Sequence, residues 1–237
     1  MEKESEKQKI IVSKNGPYIV SGKIPLKKEE IVCDNQGLPL KWEAEKDKEG
    51  KDKKYPEQEN YALCRCGHSC GKPFCDGTHV KVKFDGQETA KKSYSHDFGK
   101  LEGPELDLCD CYDLCSSARF CKRAGSVWEL TKKSDDPEAK KTAIQEACNC
   151  PSGRLVMFDK KTKKAIEPKF NPSISVTEEP YREISGPLWV KGGIEIESVN
   201  GEKYEKRNRV TLCRCGKSKN KPFCDGTHVE IGFNDKS

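Results

Sequence analysis

Short apolar stretches interrupted by glycine and proline dominate the hydrophobic pattern of the chain, and two of them are alike. The stretch GPYIVSGKIPL from Gly16 shares its Gly-Pro start, its central glycine and a following isoleucine with GPLWVKGGIEI from Gly186. β-Branched and aromatic residues between such turn residues predict short strands. Each stretch therefore predicts a small β module.

Between the two β modules the periodicity changes to that of a helix. The segment SDDPEAKKTAIQEA (134–147) opens with capping residues and a proline, and its alanines and isoleucine then recur at helical spacing. GSVWEL (125–130) before it and GRLVMF (153–158) after it are predicted as strands. The middle of the chain therefore predicts a domain of a different kind from its two ends.

A highly charged stretch, residues 41–60, lengthens the first β module relative to the second. Gly22 to Cys64 covers 42 positions, whereas Gly192 to Cys213 covers 21. Because the stretch holds few apolar residues, it predicts an exposed, mobile loop. The pattern as a whole predicts an α+β protein with a first β module (1–100), a middle domain (101–165) and a second β module (166–237).

Composition favours small modules held together by something other than a large core. Only 33% of the residues are hydrophobic and 35% are charged, which suits small domains with additional links. The 44 basic and 39 acidic residues are interspersed, with a net charge of +5, so the clustered basic surface of a nucleic-acid-binding protein is not expected. The start of the chain lacks an apolar signal core, and no run approaches the ~18 apolar residues of a membrane span. We therefore expect a cytoplasmic protein without membrane attachment, in which fourteen reduced cysteines indicate metal binding.

A cysteine-rich motif follows each β module, and its two copies agree at 15 of 18 positions from Leu63–Val80 to Leu212–Val229. Cysteines two apart on an extended segment face the same side, and three thiolates with one imidazole suit either Zn²⁺ or an iron–sulfur cluster. His68 and Cys70 are replaced by lysines in the second copy, so they cannot belong to a shared ligand set. The candidate ligands are Cys64, Cys66, Cys75 and His79 in the first motif (64–79) and Cys213, Cys215, Cys224 and His228 in the second (213–228).

The signature C-x-C-x₂-S-x₃-P-x-C-D-G-T-H is complete in both copies, including Ser69 and Ser218. It resembles the CDGSH iron–sulfur (mitoNEET-like, or NEET) family, which was first named as a zinc finger. The resemblance implies a [2Fe–2S] cluster in each copy, with the first two cysteines on the inner iron and the third cysteine and the histidine on the outer iron. Members with one motif form homodimers, so the two halves of this chain are expected to form a β-cap-like pseudo-dimer, monomeric in solution.

The histidine ligand predicts the behaviour of these sites. A neutral imidazole in place of a thiolate raises the reduction potential, and protonation of the imidazole competes with its bond to iron. Each site is therefore expected to be redox-active and acid-labile, and replacing His228 with cysteine is expected to lower the potential of the second site and slow its bleaching in acid.

Six further cysteines lie between the two motifs: Cys109, Cys111, Cys115, Cys121, Cys148 and Cys150. Cys115 and Cys121 fit the outer positions of the ferredoxin pattern C-x₂-C-x₂-C, with Ala118 in the middle position, and Cys150-Pro151 supplies the remote Cys-Pro. Residues 108–158 resemble a divergent single-cluster ferredoxin domain. Three thiolates would hold a [3Fe–4S] cluster, and a fourth from Cys111, Cys109 or Cys148 would allow [4Fe–4S]; a zinc site or an empty domain is the alternative. Cys33 and His96 are interpreted as incidental.

These features predict a non-enzymatic iron–sulfur protein that acts in electron transfer or in iron–sulfur cluster transfer. Its partners would be redox proteins or apo iron–sulfur acceptor proteins, and not nucleic acid. No dinucleotide fingerprint, phosphate loop or unassigned histidine–carboxylate constellation indicates an enzyme. The alternatives are a zinc-binding structural or interaction protein and an oxidoreductase component.

Overall fold

Thirteen short strands form three sheets in the described part of the chain, residues 7–94 and 99–235 of a computed structural model. His96 lies outside the described residues. The strands are β1 (Lys9–Val12), β2 (Tyr18–Ser21), β3 (Leu26–Cys33), β4 (Pro39–Ala44), β5 (Asn60–Leu63), β6 (Gly99–Glu102), β7 (Leu106–Asp110), β8 (Leu155–Asp159), β9 (Ala165–Ile166), β10 (Ser173–Glu179), β11 (Ile184–Lys191), β12 (Glu195–Glu197) and β13 (Arg209–Leu212).

The helices are few and mostly short. They are α1 (Thr78–Lys81), α2 (Val127–Lys132), α3 (Pro137–Asn149) and α4 (Thr227–Glu230), with single 3₁₀ turns at Tyr112–Leu114, Phe120–Lys122 and Pro180–Arg182. Among the described residues, none of these helices has the length and apolar character needed to cross a membrane. The mixture of sheets and a few helices confirms the predicted α+β class.

The two β modules exchange a strand. One sheet has the order β12-β1-β2-β5 and the other β13-β11-β10-β3-β4. β12 comes from the second module but pairs in parallel with β1 of the first, where Ile10 lies opposite Ile196. β3 comes from the first module and pairs in parallel with β10 of the second, where Leu26 lies opposite Ile174. The modules are therefore interlocked as a pseudo-dimer within one chain.

Both modules contribute to one hydrophobic core. Apolar residues on alternate strand positions face inward from both sheets, as the two-residue period of a strand requires. The buried members include Ile10, Val12, Tyr18, Val20, Leu63, Ile174, Val176, Leu188, Val190, Ile196, Val210, Leu212 and Phe223. Because strands of each module lie in the sheet of the other, neither module can bury its apolar face alone.

The middle domain has its own sheet, with the order β6-β7-β8-β9, and its own core beneath α2 and α3. The predicted helix at residues 134–147 corresponds to α3, and the predicted strand at residues 153–158 corresponds to β8. The prediction of a strand at residues 125–130 is wrong, because α2 begins at Val127. Val127 and Thr131, four residues apart, are both buried on one face of this short helix. An apolar run of this length does not distinguish a strand from a helix.

The charged stretch at residues 41–60 is ordered at its start, which contradicts the prediction of a mobile loop there. β4 pairs antiparallel with β3. The Trp42 ring lies 5.4 Å from Phe120 and 4.9 Å from Trp189, measured between centroids. Its indole Nε1–H donates to the carbonyl of Asn149 at 3.0 Å. This one apolar residue in a polar stretch therefore joins the first β module to the middle domain.

Candidate metal centres

The first cysteine motif follows β5 and brings its donor atoms together in two pairs. The sulfurs of Cys64 and Cys66 lie 3.8 Å apart, and the sulfur of Cys75 lies 3.3 Å from Nδ1 of His79. Two thiolates bound at about 2.3 Å to one tetrahedral metal would be about 3.8 Å apart. Each pair therefore has the separation needed to bind one metal ion.

The second motif repeats this geometry after β13. Cys213 and Cys215 are separated by 3.8 Å between sulfurs, and Cys224 lies 3.3 Å from Nδ1 of His228. Within residues 7–94 and 99–235, no three histidine, cysteine or acidic side chains converge on a single ion position. Each motif thus offers two ligands to each of two adjacent metal positions. This arrangement fits a binuclear cluster of the [2Fe–2S] type.

The remaining motif residues hold the ligand loop in shape. The hydroxyl of Ser69 donates to the carbonyl of Phe74 at 2.6 Å, and that of Ser218 donates to Phe223 at 2.7 Å. Asp76 accepts hydrogen bonds from the backbone N–H of Thr78 at 2.9 Å and of Cys70 at 2.8 Å. A hydrogen bond from the Thr78 side chain, together with these two backbone bonds, keeps the pKa of Asp76 well below its usual range. Asp225 makes the same two bonds in the second copy, to Thr227 and Lys219.

The surroundings of the candidate thiols shift their pKa values. Burial raises the pKa of Cys66 to about 11, and it raises the pKa of Cys224 as well. In the second inner pair, the hydrogen bond from Cys215 lowers the pKa of Cys213 to about 7. A bound metal must therefore displace thiol protons, which makes binding dependent on pH.

The two motifs meet along their inner cysteines. A Cβ on Gly67 would overlap the backbone of Cys215, and a Cβ on Gly216 would overlap the backbone of Cys66. Both glycines also have φ values in the left-handed region, 82° and 77°, where glycine is favoured. The two Cys-Arg-Cys-Gly loops therefore lie in direct backbone contact across the pseudo-dimer.

Three of the six middle cysteines share one cavity. Cys115, Cys121 and Cys150 line this cavity together with Ala118, Ser152 and Arg154. Ser152 Oγ lies 3.5 Å from the sulfur of Cys150. Arg154 is bound by both carboxylate oxygens of Asp110, at 2.6 and 2.8 Å. Three thiol groups with a guanidinium beside them suit an anionic iron–sulfur cluster.

The other cysteines lie away from this cavity. Cys111 is buried in the core of the β modules. Cys109 is on β7 beside Lys100, and the sulfur of Cys148 faces the carbonyl of Ile166 at 3.7 Å. Cys33 is half-buried and Cys70 is exposed. The structure therefore brings together only the three middle cysteines that match the ferredoxin pattern.

The middle domain covers the second motif. A Cβ on Gly226 would collide with the hydroxyl of Ser117, and Arg182 donates to the carbonyl of Ser117 at 3.4 Å. The segment from Ser116 to Ala118 lines the cysteine cavity on one side and a cavity beside His228 on the other. His228 is only 5% exposed. Burial, with the positive charges of Arg214 and Arg182, lowers its pKa to about 4.

The same face of the first motif is open. A Cβ on Gly77 would meet none of the described residues within 4 Å. His79 and Cys75 are half-buried, and the neighbouring Val80 is 71% exposed. Two sites of nearly identical sequence therefore differ in their access to solvent.

Sequence reasoning missed the buried arginines that support these sites. Arg65 and Arg214, within the two Cys-Arg-Cys stretches, are each 1% exposed. Arg214 donates to the carbonyls of Gly186 at 2.9 Å and Thr177 at 3.0 Å. Arg209 donates to the carbonyl of Cys150 at 2.7 Å. Retention of an arginine between both cysteine pairs was a signal that could have identified the first two, whereas nothing local marks Arg209.

Comparison with known families agrees with this geometry. Residues 15–80 and 185–229 match the family described as iron-binding zinc finger, CDGSH type, and residues 101–160 match the divergent 4Fe-4S mono-cluster family. Searches of curated proteins and of solved structures found no match. The chain is therefore an iron–sulfur protein. Two regions of the CDGSH type flank a region of the divergent 4Fe-4S type.

Proposed function

We propose that this chain is a non-enzymatic electron-transfer protein with three iron–sulfur sites. Each CDGSH site would hold a [2Fe–2S] cluster through its two ligand pairs, and Cys115, Cys121 and Cys150 would hold a third cluster. Such clusters supply one-electron chemistry when they are bound. The observation that carries the proposal is the contact between sites: the two inner loops touch, and residues 116–118 separate the middle cavity from His228.

The residues around these sites suit electron exchange because they exclude water and provide positive charge. The second CDGSH site is enclosed by the middle domain, with Cys224 2% exposed. Arg154 lies in the wall of the middle cavity and Arg209 binds the carbonyl of Cys150. Fixed positive groups near a thiolate-ligated site favour the more negative, reduced state.

The first CDGSH site would be the point of exchange with partners. Its outer pair, Cys75 and His79, is half-buried, and Val80 beside it is exposed. We propose redox proteins as the partners and the cytoplasm as the compartment, since none of the fourteen cysteines, all of which lie in the described residues, forms a disulfide.

Cluster donation to apo acceptor proteins is a second candidate function, and the exposure of the first site favours it. A cluster can leave only where its outer ligands can be reached, and Cys75 and His79 meet that condition better than Cys224 and His228. The enclosure of the second CDGSH site, however, favours electron transfer for the protein as a whole.

Anaerobic iron and acid-labile sulfide counts on the full chain test the iron–sulfur assignment. Red-brown protein with sulfide matching its iron is the expected result, and colourless zinc-loaded protein would contradict it. The reduced protein is then mixed with oxidised cytochrome c and, separately, with an apo-ferredoxin. Electron transfer to the cytochrome with retention of iron supports the proposal, whereas transfer of iron to the apo-ferredoxin without electron exchange would favour cluster donation.

A further inference from the structure

The cavity of the middle domain offers three thiols and no fourth. All fourteen cysteines lie in the described part of the chain, and of these only Cys115, Cys121 and Cys150 line the cavity. A [4Fe–4S] cluster ordinarily takes four cysteine thiolates, one for each iron. Whether the site has a fourth thiolate therefore depends on the positions of the other three middle cysteines. This inference rests on the proposed function, in which the cavity holds an iron–sulfur cluster.

Each of those three cysteines is committed elsewhere. Cys109 and Leu108 are neighbours on β7, so their side chains point to opposite faces of the sheet. Leu108 faces the core beneath α2 and α3, which turns Cys109 away from the helices that flank the cavity. Cys111 is 1% exposed within the core of the β modules. Cys148 faces the carbonyl of Ile166 at the edge strand β9.

The position that a fourth ligand would occupy holds Ala118. It lies three residues from Cys115 and three from Cys121, and it lines the cavity. A methyl group cannot bind iron. The guanidinium of Arg154 is a donor only and is held by Asp110 at 2.6 and 2.8 Å, with Tyr112 and Trp128 packed against it at 4.7 and 5.4 Å.

The oxygen donors in the wall do not replace the missing thiolate. Ser152 is engaged with the sulfur of Cys150 at 3.5 Å and with the backbone N–H of Arg154 at 3.3 Å. Ser116 and Ser117 line this cavity as well as the one beside His228. Serine hydroxyls are also harder and poorer ligands for an iron–sulfur cluster than thiolates.

We propose that the middle domain is a three-thiolate site that holds a [3Fe–4S] cluster through Cys115, Cys121 and Cys150, with the corner beside Ala118 lacking a protein ligand. The matched family is described as a 4Fe-4S mono-cluster, so this chain departs from that description at one corner. A fourth iron at that corner would have no side chain of this protein to retain it.

The first test is the metal content and the EPR spectrum of the full chain after anaerobic reconstitution with excess iron and sulfide, followed by desalting. An oxidised [3Fe–4S] cluster is paramagnetic, whereas oxidised [2Fe–2S] and resting [4Fe–4S] clusters are EPR-silent. We expect about seven iron atoms per chain and an EPR signal before any reductant is added. About eight iron atoms and an EPR-silent oxidised protein would overturn the proposal.

The second test supplies the missing ligand. Ala118→Cys is expected to add about one iron atom per chain and to abolish the EPR signal of the oxidised protein. Cys109→Ser and Cys148→Ser serve as matched controls and should leave both readouts unchanged, as should Cys111→Ala, which keeps a core position apolar. Loss of iron in any of these three controls would identify that cysteine as a fourth ligand and refute the three-thiolate site.

Failure of this inference can be distinguished from failure of the proposed function. If the chain binds no iron–sulfur cluster, the two CDGSH sites will also lack iron and sulfide. If only the ligand count is wrong, both CDGSH sites will show the spectrum of reduced [2Fe–2S] clusters while the middle site alone departs from expectation. Cys115→Ala removes the signal of the middle site and confirms which spectrum belongs to it.

Discussion

The two CDGSH motifs have the same ligand geometry but different surroundings. Their sulfur–sulfur separations are both 3.8 Å and their sulfur–nitrogen separations are both 3.3 Å. Ser117 of the middle domain packs against Gly226, whereas none of the described residues lies within 4 Å of a Cβ built at Gly77. The motif therefore determines the geometry of the candidate ligands, and the neighbouring domain determines which site the solvent reaches.

The difference between the two copies separates the binding chemistry of a site from its accessibility to solvent, which could not be distinguished in a protein with a single motif. Binding chemistry follows from the residues repeated in both copies, so the two sites should hold the same kind of group. Accessibility follows from the parts of the chain that are not repeated, namely the middle domain and the turn at Pro180–Arg182. Experiments that address one copy at a time can test this separation.

The largest effect is expected from removing one ligand of one copy. Cys75→Ala and Cys224→Ala should each remove one [2Fe–2S] cluster and so lower the iron content by about two atoms per chain. Cys70→Ala is the control, because Cys70 is exposed and has no counterpart in the second copy. Iron analysis of the three purified variants gives the result, and a loss of iron in the control would show that the comparison of the copies assigned the ligands wrongly.

A strong chelator should distinguish the two copies in the variants that retain only one. The first site is the CDGSH site that remains in Cys224→Ala, and the second is the one that remains in Cys75→Ala. We expect the spectrum of the reduced [2Fe–2S] cluster to be lost about tenfold faster in Cys224→Ala than in Cys75→Ala. Tenfold corresponds to about 1.4 kcal/mol of additional opening free energy for the enclosed site. Equal rates would mean that the middle domain does not protect Cys224 and His228.

Paired glycine substitutions can break the contact that causes this difference. Gly77 and Gly226 have nearly the same φ, 86° and 91°, so alanine at either position costs about 1–2 kcal/mol in backbone strain. Gly226→Ala additionally collides with Ser117, which is expected to cost a further ~1–3 kcal/mol or to displace the middle domain. The measurement is the chelation rate of each copy together with the Tm.

Gly77→Ala is the matched control for this experiment, since it carries the strain without the collision. We expect Gly226→Ala to bring the chelation rate of the second site close to that of the first. If both substitutions accelerate their own sites equally, backbone strain alone explains the effect and the contact with Ser117 has no protective role.

Features that leave a repeat or a periodic pattern in the sequence could be predicted, and features without such a pattern could not. The four donor atoms that the structure groups in pairs could be selected from the sequence, because Lys217 and Lys219 replace His68 and Cys70 in the second copy, which reduces six candidates to four. The α+β class and the helix α3 followed from periodicity. The exchange of β3 and β12 between sheets could not be predicted, because pairing over more than a hundred residues leaves no local pattern.

Contacts that single residues make between domains also could not be predicted from the sequence. Trp42 is one aromatic residue in a charged stretch, and only its contacts with Phe120 and Trp189 reveal its packing role. Ser117 has the sequence context of a loop, and its position over Gly226 depends on how the middle domain is placed. Such contacts arise from tertiary packing, which local propensity does not encode.

Tyr18 offers a smaller and more selective test of the asymmetry. Its buried hydroxyl donates to the carbonyl of Cys213 at 2.8 Å and lies 3.0 Å from that of Pro222, so a strand of the first module braces the ligand loop of the second. The equivalent position in the second module is Leu188, which has no such group. Tyr18→Phe is expected to destabilise the protein by about 1–2 kcal/mol in urea unfolding and to accelerate chelation of the second site alone.

Tyr61→Phe provides the control for Tyr18→Phe. The hydroxyl of Tyr61 donates to the carbonyl of Ile24 at 2.8 Å within the first module. Tyr61→Phe should therefore lower the free energy of unfolding by a similar amount as Tyr18→Phe without changing the chelation rate of the second site. Acceleration of the first site in Tyr18→Phe would contradict the assignment of this hydrogen bond to the second ligand loop.

The smallest expected effect concerns the middle domain, which encloses the second site. Glu146 on α3 is buried; Oε1 accepts from the backbone N–H of Ala124 at 2.7 Å, and Oε2 has no hydrogen-bond partner among the described residues. Burial raises the pKa of Glu146, against the opposing effects of Ala124 and Arg123. The unfolded chain therefore releases this proton more readily than the folded protein, so ionisation costs stability as the pH rises above about 4.3.

Glu146→Gln keeps an acceptor for Ala124 and removes the charge, so it should raise the Tm near neutral pH by about 2–4 °C, equivalent to ~1 kcal/mol. The gain should disappear below about pH 4, where the glutamate is protonated. Glu138→Gln on the exposed start of α3 is the control and should bring no such gain. Because a more stable middle domain holds Ser117 against Gly226 more of the time, the same variant should slow chelation of the second site and leave the first unchanged. A Tm gain that persists in acid would show that the buried charge of Glu146 is not its cause.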